Sequence, residues 1–265
     1  MIAVDWSGDA RTARQHIWLA EASSPGTLDR LEAGRDRTEI ADHLVALAED
    51  DVVVGFDFAF SFPTWFVASL GITSAPDLWA HVAAYGEGWL AACAPPFWGH
   101  PGRSRPPLVA AEPRLRRTDL AVPRTAGVAP KSIFQIGGAG AVGTGSIRGM
   151  PVLHRLHTVR GAKIWPYCGD GGRPTVVEIY PRLMTGPVHK SNAIARAELL
   201  ARRYPQLHAE QRQLAIASED AFDAAVSALV MIDHVEDLAA LPVEPDAALR
   251  LEGRIWHPGW RADQL

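Results

Sequence analysis

Apolar positions fall into short strand-like runs in the first quarter of the chain and into helical spacing near its end. Ile2-Ala3-Val4 reads as a strand closed by Asp5, with Ser7-Gly8-Asp9 as the turn after it. His16-Ile17-Trp18-Leu19-Ala20 predicts a returning strand, and a third is expected near 28–34. Over 38–48, Ile40, Leu44 and Leu47 keep helical spacing, with Thr38 as the expected N-cap. The run Val52-Val53-Val54-Gly55-Phe56-Asp57-Phe58-Ala59-Phe60 predicts a buried strand, and Pro63 opens a short helix through Leu70. From about 71 to 172 the pattern is irregular and rich in Pro, Gly, Arg and Trp, which predicts a large insertion carrying short elements. Regular structure resumes with a strand over 175–180, ended by Pro181, and with helices over about 192–204 and 218–234.

With the insertion set aside, the order is β-β-β-α-β-α-β-α. An antiparallel meander followed by alternating helices and strands predicts an α/β fold: a mixed five-stranded sheet flanked by helices, the irregular insertion lying before the last strand. This order resembles that of the ribonuclease-H-like fold. No internal repeat and no linker divides the chain, so residues 1–265 are expected to form a single domain.

Carboxylates punctuate these elements. Asp5 ends the first strand, Asp57 interrupts the fourth, Glu178 follows Val176-Val177, and Glu219, Asp220 and Asp223 open the last helix. A carboxylate among apolar residues loses hydration, and several that converge repel one another. A cation is the natural compensation, so the pattern points to divalent-metal chemistry. Strand alternation sets Asp57 on a face with Gly55, Ala59 and Ser61, which leaves room beside its carboxylate for an ion or substrate. On the last helix, Phe222, Ala225, Val226 and Leu229 form the core stripe, with Asp223 at its edge and Asp220 and Ser227 beside it. Hard cations such as Mg²⁺ or Mn²⁺ take carboxylate oxygens, and two such ions about 4 Å apart can drive phosphodiester hydrolysis. Asp5, Glu178 and Asp223 form the first candidate ligand set, with Asp57 and Asp220 next. Structural roles compete: Asp5 suits a turn, Asp57 or Glu178 could pair with Arg182, and Glu219 and Asp220 complement a helix dipole.

The chain also resembles the domain-of-unknown-function 429 family, a group of predicted nucleases with a ribonuclease-H-like fold. The matching pieces are Ile2-Ala3-Val4-Asp5-Trp6-Ser7-Gly8, Gly55-Phe56-Asp57, Val177-Glu178-Ile179-Tyr180-Pro181 and Glu219-Asp220-Ala221-Phe222-Asp223-Ala224. The last piece is similar to the terminal helix of Holliday-junction resolvases. In those enzymes the first strand supplies an Asp, a middle strand a Glu, and the helix an acidic or His/Asp pair. The resemblance therefore implies roles for Asp5, Asp220 and Asp223, and it favours Asp57 as a metal ligand while Glu178 competes as the middle acid. The catalytic set it implies is Asp5, Asp57, Glu178, Asp220 and Asp223.

Charge refines the picture. The formal net charge is -4, which argues against a protein that coats long nucleic acid. Between Arg103 and Lys131, however, seven cations face two acids, so this segment carries +5 and the remainder -9. Such a segment suits an anionic substrate or a solvated loop. Gly138-Ala139-Gly140-Ala141-Val142-Gly143 matches a dinucleotide fingerprint but lacks a surrounding βαβ unit, with Ile133-Phe134-Gln135-Ile136 as its only candidate strand. It reads better as a loop open to phosphate, with Lys131, Ser146 and Arg148 nearby as substrate contacts and Arg182 as a fourth. Trp98, Trp165 and Trp256 are candidates for base stacking.

No run approaches the roughly 20 apolar residues of a membrane span, and no signal peptide is apparent at Met1. Cys93 and Cys168 have no paired spacing, which suits reduced thiols and a cytoplasmic location. The leading expectation is a Mg²⁺- or Mn²⁺-dependent nuclease acting on a short or structured nucleic acid. The alternatives are an actin-like nucleotide-binding phosphotransferase or ATPase, and a non-catalytic scaffold.

Overall fold

The computed structural model describes residues 1–47, 51–107, 109, 111–125, 127–167 and 172–260. Ala48, at the end of the first expected helix, and Cys168 lie outside the described residues. Strands β1 (Ile2–Asp5), β2 (Trp18–Glu21), β3 (Arg30–Glu32), β4 (Val53–Phe56), β5 (Ala162–Ile164), β6 (Gly172–Ile179) and β7 (Ile255–Trp256) form one mixed sheet. Its order is β3-β2-β1-β4-β6-β5, with β7 also paired to β6. The β1–β2–β3 meander is antiparallel, whereas β4, β5, β6 and β7 join in parallel.

Seven strands thus stand where five were expected. The two additional strands share the outer edge of β6: β5 lies along its first part and β7 along Glu178 and Ile179. At three and two residues they are too short to leave a periodic signal.

Helices cover both faces. α1 (Ala13–His16) is a single turn that takes His16 out of the expected returning strand. α2 (Arg37–Ala46) begins two residues earlier than the Thr38 cap implies: Asp36 accepts from the Glu39 N–H at 3.0 Å, and Glu39 accepts from the Asp36 N–H at 2.8 Å. α3 (Thr64–Ser69) follows Pro63 as expected.

The stretch from 71 to 172 is more regular than its composition implies. It holds α4 (Ala75–Ala92), α5 (Arg117–Ala121), α6 (Gly143–Arg160) and β5. α6 tolerates Gly143, Gly145, Gly149 and Pro151 because Ile147, Met150, Leu153 and Leu156 are buried. Each such side chain contributes roughly 1.5–3 kcal/mol, against about 1 kcal/mol lost per Gly and about 3 kcal/mol per Pro in a helix. Ile133–Ile136, the candidate strand of the glycine motif, is not a strand, and Gly143 opens α6 directly.

α2, α4 and α6 pack on one face with Val4, Phe56, Phe58 and Phe60. The other face carries α7 (Pro181–Thr185), α8 (Ala193–Arg203), α9 (Ala209–Ala217) and α10 (Glu219–Asp233). α11 (Val235–Ala239) and α12 (Leu249–Glu252) lead into β7. Every residue of α10 from Ala221 to Ile232 is buried, because the sheet closes one side and α7 and α9 close others. Among the described residues, no helix is long and apolar enough to cross a membrane.

Gly55 sets how closely α10 approaches the sheet. A Cβ there would lie 2.8 Å from Met231 Sδ and 2.9 Å from Ile179 Cγ2. The core thus fills the space beside Gly55, and the room expected beside the Asp57 carboxylate lies toward Ala59, where a cavity opens. Gly55→Ala lowers the entropy of the unfolded chain, a small stabilisation, but overpacks this contact, so stability falls by about 1–3 kcal/mol. Urea unfolding of the variant against wild type measures it, and unchanged stability would contradict the close contact.

Candidate functional site

The parallel register of β1 and β4 pairs Ala3 with Gly55 and Val4 with Phe56. Carried one residue further, it sets Asp5 beside Asp57, and the Asp57 N–H donates to the Val4 carbonyl at 3.1 Å. Neighbouring strands lie about 4.8 Å apart, so two carboxylates leave adjacent strand ends side by side. Alternation decides where they point. Ala3 and Val177 belong to the core under α10, while Val4 and Phe56 belong to the opposite core. Asp5 and Asp57 therefore share the α10 face, where Asp223 meets them.

Glu178 is paired with Phe56 and so projects from the other face. There Arg116 grips it: Nη2 donates to Oε1 at 2.5 Å and Nη1 to Oε2 at 2.8 Å. The Phe60 N–H adds a third bond at 3.0 Å. Arg116 also binds Asp119, Nη2 to Oδ1 at 2.7 Å. Burial alone would lower the Arg116 guanidinium, but Asp119 and Glu178 outweigh it and hold it well above its ordinary value. The register sets the two competing acids on opposite faces, although both line one cavity and Glu178 adds to the raised proton affinity of Asp57: Asp57 joins the cluster, and Glu178 anchors the 103–131 segment to the sheet. Past the Asp57 N–H, which still bonds β1, the backbone donors turn to side chains, Ala59 N–H to Ser146 Oγ and Phe60 N–H to Glu178, and the strand does not continue.

The cluster itself is poorly hydrated. Asp5 and Asp223 are 8% and 7% exposed, and Asp57 is half-buried. Burial, then Asp57, Asp223 and Asp220, raise Asp5 well above the usual carboxylate range. Burial, then Asp223, push Asp57 up to about 7, and Lys190 opposes the shift. Asp223 is raised chiefly by burial, against the pull of Lys190. Lys190 forms an ion pair with Asp223 Oδ2. Asp223 Oδ1 is buried without a partner. Asp220 stands at the rim, its Oδ2 3.1 Å from His16 Nδ1.

Among the described residues, no three acidic, histidine or cysteine side chains are gathered tightly enough to hold a metal ion as they stand. The donor chemistry nevertheless suits a hard cation: carboxylates only, crowded until they repel, with one buried oxygen unsatisfied.

The remaining expected residues serve varied ends. Ser146 is buried, donating to the Val142 carbonyl and accepting from Ala59, which makes it a helix-to-loop tie. Arg148 is held by Glu87 and the Gly8 carbonyl. Arg182 donates to the Val188 carbonyl at 2.8 Å and does not pair with Asp57 or Glu178. Lys131 is exposed and lines a cavity of about 210 Å³ with Trp6, Asp57, Phe58 and Tyr180. Trp98, Trp165 and Trp256 are buried in the core. Lys190 carries no local signal in the sequence, being one cation in the polar stretch 186–192, and Arg116 was legible only as one of seven basic residues.

Two outcomes follow from this electrostatic arrangement. Asp57 has a folded pKa of about 7 against an ordinary value of 3.8. The native state therefore binds more protons than the unfolded chain between these values, and stability falls as pH rises through the window. In chelator, wild type loses more stability from pH 5 to pH 8 than Asp57→Asn does; equal losses would contradict the crowding. Arg116→Met strands two buried carboxylates and lowers stability by about 3–5 kcal/mol, read by chemical denaturation at neutral pH.

Compared with known proteins, the chain matches no protein-family model, no curated protein and no solved structure.

Proposed function

We propose that this protein is a divalent-metal-dependent phosphodiesterase acting on nucleic acid, built on a ribonuclease-H-like sheet. The observation that carries the reading is the convergence of Asp5, Asp57 and Asp223 in one desolvated cluster. Two come from adjacent parallel strand ends and one from the helix packed across them. Such crowding is unfavourable in isolation, and binding a cation relieves it. The strand arrangement supports the same reading, since an antiparallel meander leads into parallel strands with helices on both faces.

Asp5, Asp57 and Asp223 would hold Mg²⁺ or Mn²⁺, with Asp220 at the rim. When bound, such an ion polarises a phosphoryl oxygen and lowers the pKa of water. The chain's own residues do the rest. Glu178 acts as a positioning residue, fixing the loop after Asp57 through the Phe60 N–H and fixing Arg116. The cavity beside Asp57 offers Phe58 and Tyr180 to one nucleotide unit, and Lys131 on its rim meets a flanking phosphate. The net charge of -4 favours a short or structured nucleic acid over a long duplex.

The test is cleavage of single-stranded, hairpin and branched oligonucleotides with Mn²⁺, with folding monitored by near-ultraviolet circular dichroism. Asp5→Asn and Asp57→Asn are expected to retain the fold and to lose at least about 10²-fold in rate, the scale of removing one essential electrostatic group. Full-rate cleavage by Asp5→Asn would reject the assignment. A scaffold would show neither cleavage nor a thermal shift with Mn²⁺.

A further inference from the structure

A second cavity, of about 310 Å³, adjoins the one beside Asp57, and the same two segments bound both. Pro130 and Lys131 line the first and Val128 the second, while Tyr180 lines the first and Arg182 the second. Two residues of extended chain span at most about 7 Å, so the walls of the cavities lie side by side. Tyr180 stands between them. Its hydroxyl lies within electrostatic range of Asp57 on one side and of Lys190 and Arg182 on the other. The acid cluster borders both as well, since Asp57 lines the first cavity and Lys190, which lines the second, pairs with Asp223.

Each cavity presents a cation with donors to spare. Lys131 is exposed, makes no ion pair among the described residues, and rests its ammonium against Gly140, where a Cβ would otherwise stand. Arg182 spends Nη1 on the Gly186 and Val188 carbonyls, which fixes the side chain and leaves Nε and Nη2 unpartnered among the described residues. His189 and Ser191, bonded at 3.0 Å, add donors, and Glu219 is the acid on that wall. Lys190 is already engaged by Asp223, so Arg182 is the cation left for an anion there. The strap 128–131 that borders both cavities is tied at its base, where Ser132 Oγ donates to the Arg114 carbonyl at 2.6 Å and Arg116 is buried. At its tip Thr125 and Val128 exchange backbone bonds. A strap held at both ends beside cavities this small admits a flexible strand and excludes a duplex.

We propose that the two cavities are neighbouring subsites for one single-stranded oligonucleotide, with Lys131 meeting one phosphate and Arg182 the next. The substrate is then a strand with at least two phosphates and not a mononucleotide. This rests on the nucleic-acid reading above and deepens it by assigning a second cavity and a substrate class. Tyr180, between the subsites, offers its ring to a base, a contact that tolerates any sequence.

Calorimetric titration of the full chain with thymidine 5′-monophosphate and with tetrathymidylate, in chelator and again with Ca²⁺, tests the proposal. The tetranucleotide should bind at least about tenfold more tightly, because the second subsite is filled without a second encounter. Lys131→Gln and Arg182→Gln should each reduce the slope of log affinity against log salt by about 0.7, the value of one phosphate contact on a single strand. Arg182→Lys should keep the wild-type slope. Equal affinity for the two nucleotides, tripolyphosphate binding as tightly as the tetranucleotide, or an unchanged slope in a folded Arg182→Gln would overturn it. The length comparison in wild type decides the matter even where Arg182→Gln does not fold. No binding of either nucleotide in either condition would remove the nucleic-acid reading together with this one; equal affinity would remove this one alone.

Discussion

Helix α10 lies against β1 and β2 with twelve successive buried residues, and the closeness of that contact governs the candidate site. Gly55 lets Met231 approach the sheet, and Ala224, Ala225 and Ala228 line the helix with small side chains in the same core. A helix seated this low brings Asp223 onto the ends of β1 and β4, where Asp5 and Asp57 already stand side by side. Apolar packing therefore forces together three groups that would separate if free to do so. Burial is the first cause of their raised proton affinities, and the neighbouring carboxylates add to it at Asp5 and Asp57.

A fold can hold such a cluster only if something offsets it, and the chain answers differently on the two faces of the sheet. On the face away from α10, Glu178 and Asp119 are satisfied by Arg116 with bidentate bonds, and the neighbouring Glu252 is satisfied by the Thr64 N–H, the Thr64 hydroxyl and the Arg117 N–H. That network is closed. On the α10 face, Lys190 is the one cation in contact with the cluster among the described residues, and one oxygen of Asp223 stays unsatisfied. The contrast between a saturated network and an unsaturated one separates structural acids from candidate functional ones.

The same division reassigns the basic segment. Arg116 is spent in the core, Arg117 pairs with Asp246, and Arg114 bonds the Pro106 carbonyl, while Lys131 faces the cavity beside Asp57. A segment that reads as a uniform positive patch thus divides into an anchor and a rim. The cavity is small against the roughly 300–1,000 Å³ of typical ligand pockets.

Local pattern alone carried the meander, the first amphipathic helix, the strand before Asp57, the strand before Tyr180 and the late helices, because each has a period that its own residues define. It also carried the short list of acids, since a carboxylate interrupting an apolar run stands out wherever it lies. It missed α4 and α6, whose glycines and prolines oppose helix formation locally and are outweighed by burial that only a packed partner supplies. It missed β5 and β7, whose pairing with β6 depends on residues far along the chain. Above all, it ranked Glu178 ahead of Asp57 as a ligand, whereas the fold sets Asp57 and not Glu178 beside Asp5. Their difference is one of register: in a strand, a shift of one position exchanges the two faces, and register is fixed by which strands meet. Lys190 and Arg116 were invisible for the same reason, as a lysine 33 residues from Asp223 and an arginine 62 residues from Glu178 find them only through the fold. The chain's own order named the acids; the tertiary structure chose which of them stand together, because proximity across a sheet is a property of packing and not of sequence spacing.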